Sequence, residues 1–155
     1  MGGNILKHSH IYSPVYYKLE KEVINLSNYI FFEDNQKDVY SLEIADLIMR
    51  CSVEIESLAK DIYRENEKKE PSSPGECFRW MDQHWKISNK EITVVSPHFH
   101  INCLNIFEPF NYDKDSPEDY YSIYNSIKHD RVKNLDKATV YCLIRALGAL
   151  YVLNV

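Results

Sequence analysis

This chain predicts a mainly α fold: a helical bundle of about five helices with a small inserted β-hairpin. Three observations carry that expectation. Apolar residues recur at spacings of three and four along residues 16–30 and again along 44–62, the pattern of helices with one buried face. Ser73-Pro74-Gly75-Glu76 has the order of a helix-opening capping box. The closing stretch, 138–152, is apolar on nearly every side, which marks a helix at the centre of a bundle.

Each element follows from local residue chemistry. Ser13-Pro14 is expected to open the first helix, with Ser as N-cap and Pro at the first helical position. Tyr16, Leu19, Val23, Leu26 and Ile30 are its buried stripe, and Glu33-Asp34-Asn35 breaks it. A longer helix spans about 39–68, with Ile44, Leu47, Ile48, Cys51, Ile55, Leu58 and Ile62 inward. Its outer face carries Glu43, Asp46, Glu54, Asp61 and Arg64, and Pro71 ends the segment. The helix opened by Ser73 places Cys77, Trp80, Met81 and His84 along one edge, and Ser88-Asn89-Lys90 stops it. Ile92-Thr93-Val94-Val95 is β-branched and bounded by Pro97, so it reads as a strand. Residues 99–107 are its expected hairpin partner, with Phe99, Ile101 and Cys103 alternating with polar neighbours. Ser116-Pro117-Glu118-Asp119 is a second capping box, opening a helix through about Arg131. Asn134 or Asp136 is the expected cap of the last helix.

Composition narrows the function classes. At 155 residues the chain has the size of a single domain, 1–155, and can bury a core without disulfides or metal. Hydrophobic residues make up 45%, which excludes disorder as the dominant state. Eighteen basic against twenty-three acidic residues give a net charge of −5, arguing against a binder that coats nucleic acid with its whole surface. A local basic patch remains open. Charged residues interrupt the apolar stretches, Arg145 in the closing one, so no membrane span is expected. No basic segment leading into an apolar one marks a signal peptide, so the expected location is cytoplasmic. The four cysteines are too scattered for a zinc knuckle and are expected as reduced, buried thiols.

The densest polar group lies at residues 120–131. On a helix, Asn125 and His129 share a face, and Tyr121, Tyr124, Lys128 and Arg131 run along the adjoining one. An amide, an imidazole, two cations and two phenols suit a phosphate or a nucleobase. The plainer reading is a helix that packs its Tyr and Ile inward and pairs its cations with acids. His98 and His100 would face one way on a strand and could hold zinc or nickel with a third ligand, though solvent-facing histidines are the commoner case. No Gly-rich phosphate loop, Gly-x-Ser-x-Gly, His-Glu-x-x-His or EF-hand loop is present, so no cofactor and no metal is expected.

Tyr124-Asn125-Ser126-Ile127-Lys128-His129-Asp130-Arg131, the helix-rich layout and the apolar closing helix resemble the HEPN superfamily. These are helical bundles, often dimeric, of toxin–antitoxin and phage-defence systems, many resembling metal-independent ribonucleases. Their signature is an Arg, then a polar residue that is often Asn, then a His after four to six intervening residues. Asn125 and His129 match the Asn and the His, and Tyr124 stands in the Arg place. The helix with Glu54, Glu56 and Asp61 resembles the acidic helix that faces the motif. The resemblance implies a homodimer that binds RNA or a nucleotide through Tyr124, Asn125 and Lys128. It implies a link to an antitoxin or defence partner. If the protein is an enzyme, it implies a metal-independent endoribonuclease with His129 moving the proton and Arg131 steadying the phosphate charge. The alternative is a non-catalytic dimerising protein-interaction module.

Overall fold

The computed structural model describes residues 9–102, 105–111 and 120–155. Among them are six α-helices: α1 Ser9–Leu26, α2 Leu42–Glu67, α3 Pro74–Trp85, α4 Tyr120–His129, α5 Arg131–Asn134 and α6 Val140–Asn154. Four two-residue strands accompany them: β1 Phe32–Glu33, β2 Ile92–Thr93, β3 Phe99–His100 and β4 Ile106–Phe107. The fold is mainly α with a small β insertion, and no helix of the described residues is long and apolar enough to cross a membrane.

The core is built around α6. Val140, Cys142, Leu143, Ile144, Ala146, Leu147, Ala149 and Leu150 are all buried, covered by α2 above all and by α1 and α4. One chain suffices to cover this helix, so its apolar surface does not itself require a second copy. The expected stripes of the first two helices are also buried, from Tyr16, Leu19, Val23 and Leu26 to Ile44 through Ile62. Cys51, Cys77 and Cys142 are buried thiols.

Helix boundaries follow capping chemistry. Ser41 Oγ accepts from the Ile44 N–H at 3.1 Å and starts α2. Ser73 Oγ accepts from the Glu76 N–H at 3.2 Å, as the capping box predicts. Glu76 returns the bond one residue further out, to the N–H and Oγ of Ser72, both at 2.6 Å. Those bonds, with one donated by the Tyr63 hydroxyl, hold the Glu76 carboxyl down at about 2. Both α2 and α3 end on a left-handed lysine, Lys68 at φ 59° and Lys86 at φ 51°, where glycine is the usual choice.

Four expectations are corrected. Pro14 lies inside α1, which already runs from Ser9. Tyr12 reaches Ser57 of α2 (hydroxyls 3.3 Å apart), so the turn before Pro14 has its own packing. The expected hairpin of 92–95 with 99–107 is split between two partners. β2 pairs antiparallel with β4, Ile92 opposite Phe107, whereas β3 pairs parallel with β1, Phe32 opposite Phe99. Ring contacts explain the split: Phe99 lies 5.1 Å from Phe32 and His100 stacks 5.2 Å from Phe31. The helix expected to reach Arg131 ends at His129, because Asp130 caps a new turn by accepting from the Lys133 N–H at 3.1 Å. The cap of the last helix is Thr139, not Asn134 or Asp136. Its hydroxyl accepts from Cys142, while Val39 and Lys37 carbonyls accept from Val140 and Tyr141, so three donors at the α6 N-terminus are satisfied. The 116–119 capping box and Cys103 lie outside the described residues.

Gly148 is where α6 and β4 meet. A Cβ there would sit 2.7 Å from Phe107 Cζ and 3.1 Å from Ile92 Cδ1. Alanine favours a helix interior over glycine by up to about 1 kcal/mol, but overpacking costs about 1–3 kcal/mol. Gly148→Ala is therefore expected to lower the melting temperature by a few degrees; an unchanged or higher value would show that Phe107 yields freely.

Candidate functional site at the α4–α5 corner

The alternation of α4 decides what its polar segment presents. Tyr120, Ile123, Tyr124 and Ile127 are buried at spacings of three and four, which turns the intervening residues outward. Tyr124, which stands where the signature it was compared with has Arg, is 2% exposed. Its ring lies beneath Lys128, whose Nζ is 5.5 Å from the ring centroid. Lys128 is thus oriented by the tyrosine and remains exposed. His129, the last residue of α4, is exposed, and so is Arg131, the first of α5. Neither His129 nor Arg131 has a side-chain hydrogen bond or ion pair among the described residues.

The corner has a defined shape. Asp130 N–H bonds to the Ser126 carbonyl at 2.9 Å, closing α4. Asn134 then folds back: its Nδ2 donates to the carbonyls of Ser126 and Asp130 at 3.0 and 2.9 Å. Those bonds satisfy backbone acceptors at the α4 C-terminus and pin α5 against α4. Asn134, expected alongside Asp136 as a cap of the last helix, spends its amide on this corner instead. Lys128 and His129 in the last turn also oppose the partial negative charge of the helix end.

Asn125 is half-buried and hydrogen-bonds the Tyr121 phenol. Tyr121 Oη donates to Glu56 Oε1 of α2 at 3.3 Å. Glu56, one of the three acids expected to face the motif, is therefore bonded to α4 through Tyr121. Burial pushes the Glu54 carboxyl above its ordinary value. The imidazoles elsewhere have other neighbours. His84 stacks 4.2 Å from Trp80, and His100 stacks on Phe31. Among the described residues no group of three His, Cys, Asp or Glu is placed to hold a metal.

Comparison with protein-family models, with curated proteins and with solved structures finds no match to this chain.

Burial, the negative charge of Glu56 and the bond donated to it push the Tyr121 phenol up to about 12, from an ordinary value of 10. The folded state thus holds this proton more tightly than the unfolded chain. Its contribution to stability is full below pH 10 and is lost as pH rises toward 12. Tyr121→Phe should show a shallower alkaline loss of stability over that interval in urea melts. Some loss will remain, because Tyr63 and Tyr16 are also raised. An alkaline limb identical to wild type would remove Tyr121 from this account.

Proposed function

We propose that this chain is a HEPN-like domain that binds single-stranded RNA through the α4–α5 corner, as a homodimer and without cleaving it. The observation that carries the reading is the exposure of the motif's cations: Lys128, His129 and Arg131 are each exposed at the end of α4 and the start of α5, while Tyr124 is buried. Exposed cations at a pinned corner can meet a phosphate backbone by exchanging with its condensed counterions. Cleavage asks for more. A guanidinium fixed beside the imidazole would be needed to hold charge as a 2′-hydroxyl attacks. Position 124 offers a covered phenol ring, and Lys128 is a point charge steered by that ring. Arg131 lies past the break at Asp130, on a separate turn. Binding is the chemistry these groups favour.

Pairing would have exposed apolar side chains to use. Tyr40 and Leu42 are exposed, and the Tyr40–Thr139 bridge sets them beside the segment that follows α5. Val132, on α5, is exposed as well. A second copy could cover these side chains. The same surface would serve an antitoxin or defence partner, the interaction-module reading.

The test is affinity for a single-stranded RNA oligonucleotide across a salt series. Lys128→Ala and Arg131→Ala are each expected to weaken binding and to flatten the salt slope by about 0.7, the value for one lost phosphate contact on a single strand. His129→Ala should leave the unfolding free energy within the scatter of surface substitutions, about ±0.5 kcal/mol. Salt-independent binding, or none, would overturn the reading, and RNA cleavage that disappears in His129→Ala would overturn its non-catalytic part. Light scattering at micromolar concentration should give a dimer mass, and Leu42→Asp should return it to a monomer.

A further inference from the structure

We infer that the cleft between α1, α6 and the β2–β4 pair binds a small organic cation with an aromatic or other apolar body. The cleft has a volume of about 550 Å³, inside the range of small-molecule sites. Its lining includes no residue of α4 or α5, so the inference does not rest on the RNA reading.

The walls are apolar and partly aromatic. Phe107 from β4, Ile144 and Leu147 from α6, and Phe99 are among the residues that line it, with Ile92 and Val94. Gly148 lets the Phe107 ring lie against the α6 backbone, which sets the width on that side. Charge decides the class of ligand. The ionisable acids lining the cleft are Glu20 and Glu91, and no Lys, Arg or His lines it among the described residues. A nucleotide, a carboxylate or an RNA phosphate would meet like charge there, whereas an ammonium or amidinium group would be neutralised. Glu20 is held in place: the buried Tyr16 hydroxyl donates to Glu20 Oε2 at 2.8 Å. Tyr16 is itself fixed by the Tyr151 ring, 5.7 Å away, and both rings line the cleft. A cation against Glu20 would thus also sit near aromatic faces, a second attraction of the same sign. Phe107 already accepts such a contact from outside the cleft, where the Arg145 guanidinium lies 5.7 Å from its ring centroid.

The experiment uses the whole chain and three probes that share an indole ring: tryptamine, tryptophol and indole-3-propionate. By calorimetric titration, tryptamine is expected to bind at least about ten-fold more tightly than either of the others, the worth of one charge-assisted contact. Glu20→Gln keeps an acceptor for Tyr16 and should bring tryptamine down to the level of tryptophol, leaving tryptophol unchanged. Ile24→Trp, which adds bulk from the α1 side of the cleft, should weaken tryptamine and tryptophol alike. Equal binding of all three probes, no tryptamine binding at millimolar concentration, or full affinity in Glu20→Gln would overturn the proposal. The wild-type comparison among probes needs no variant to fold.

Discussion

A helix that is apolar on nearly every side has little face to leave in water, so most of it must be surrounded. Ten of the fifteen residues of α6 are buried, and α1, α2 and α4 are the elements that enclose them. At roughly 25 cal/mol for each Å² of apolar surface removed from water, such burial is the dominant stabilising force available to this chain. The other contacts adjust to it. The segment before α2 supplies carbonyls to the first backbone donors of α6, which have no partner within the helix, and β4 leans its Phe107 into the gap left at Gly148. The position of the β2–β4 pair, and with it the cleft beside α1, follows from that one close approach.

The same constraint sets the character of the α4 surface. To cover its share of the core, α4 turns Tyr120, Ile123, Tyr124 and Ile127 inward. The side chains left outside are those between the stripe positions, and near the C-terminal end these are cationic. Tyr124 thereby does double duty: its ring fills core space, and its upper face orients Lys128. A guanidinium at position 124 would be drawn into the same interior slot and would need a partner there. The tyrosine is therefore coupled to the packing of the bundle as much as to any ligand. The two proposed sites differ in sign, cationic at the corner and anionic in the cleft. A single chain of net charge −5 can thus present surfaces for opposite partners.

What could be read from the sequence was the part encoded by local periodicity. The stripes of α1 and α2, the Ser-Pro-Gly-Glu opening of α3 and the central place of α6 all arise from residues within a few turns of one another. What could not be read depends on competition or on distance. Asp130 and Asn134 are each able to cap, to bond a carbonyl or to continue a helix. The break after His129 results because Asp130 captures the Lys133 N–H and Asn134 captures two carbonyls. Thr139 prevails as the final cap because a 3-10 turn, Leu135–Lys137, intervenes. β3 finds its partner in the α1–α2 connection, and no alternation within 99–107 could name Phe32. Lys128, His129 and Arg131 were visible as a group, but the burial of Tyr124 followed only from the stripe it shares with Tyr120 and Ile127. Glu20 and Glu91 lie far apart in the chain, and only the fold brings them to one cleft.

The order of elements along the chain carries a further meaning for how the protein comes into being. α6 follows every helix that it holds together. During synthesis, at about 5–20 residues per second, the apolar stripes of α1 and α2 leave the ribosome seconds before the segment that covers them. For that interval Leu19, Val23, Ile44, Leu47 and Ile48 lack their central partner. The nascent chain is then a loose collection of amphipathic helices, open to chaperones and to association with its own copies. Packing of α6 against them is what removes those stripes from water.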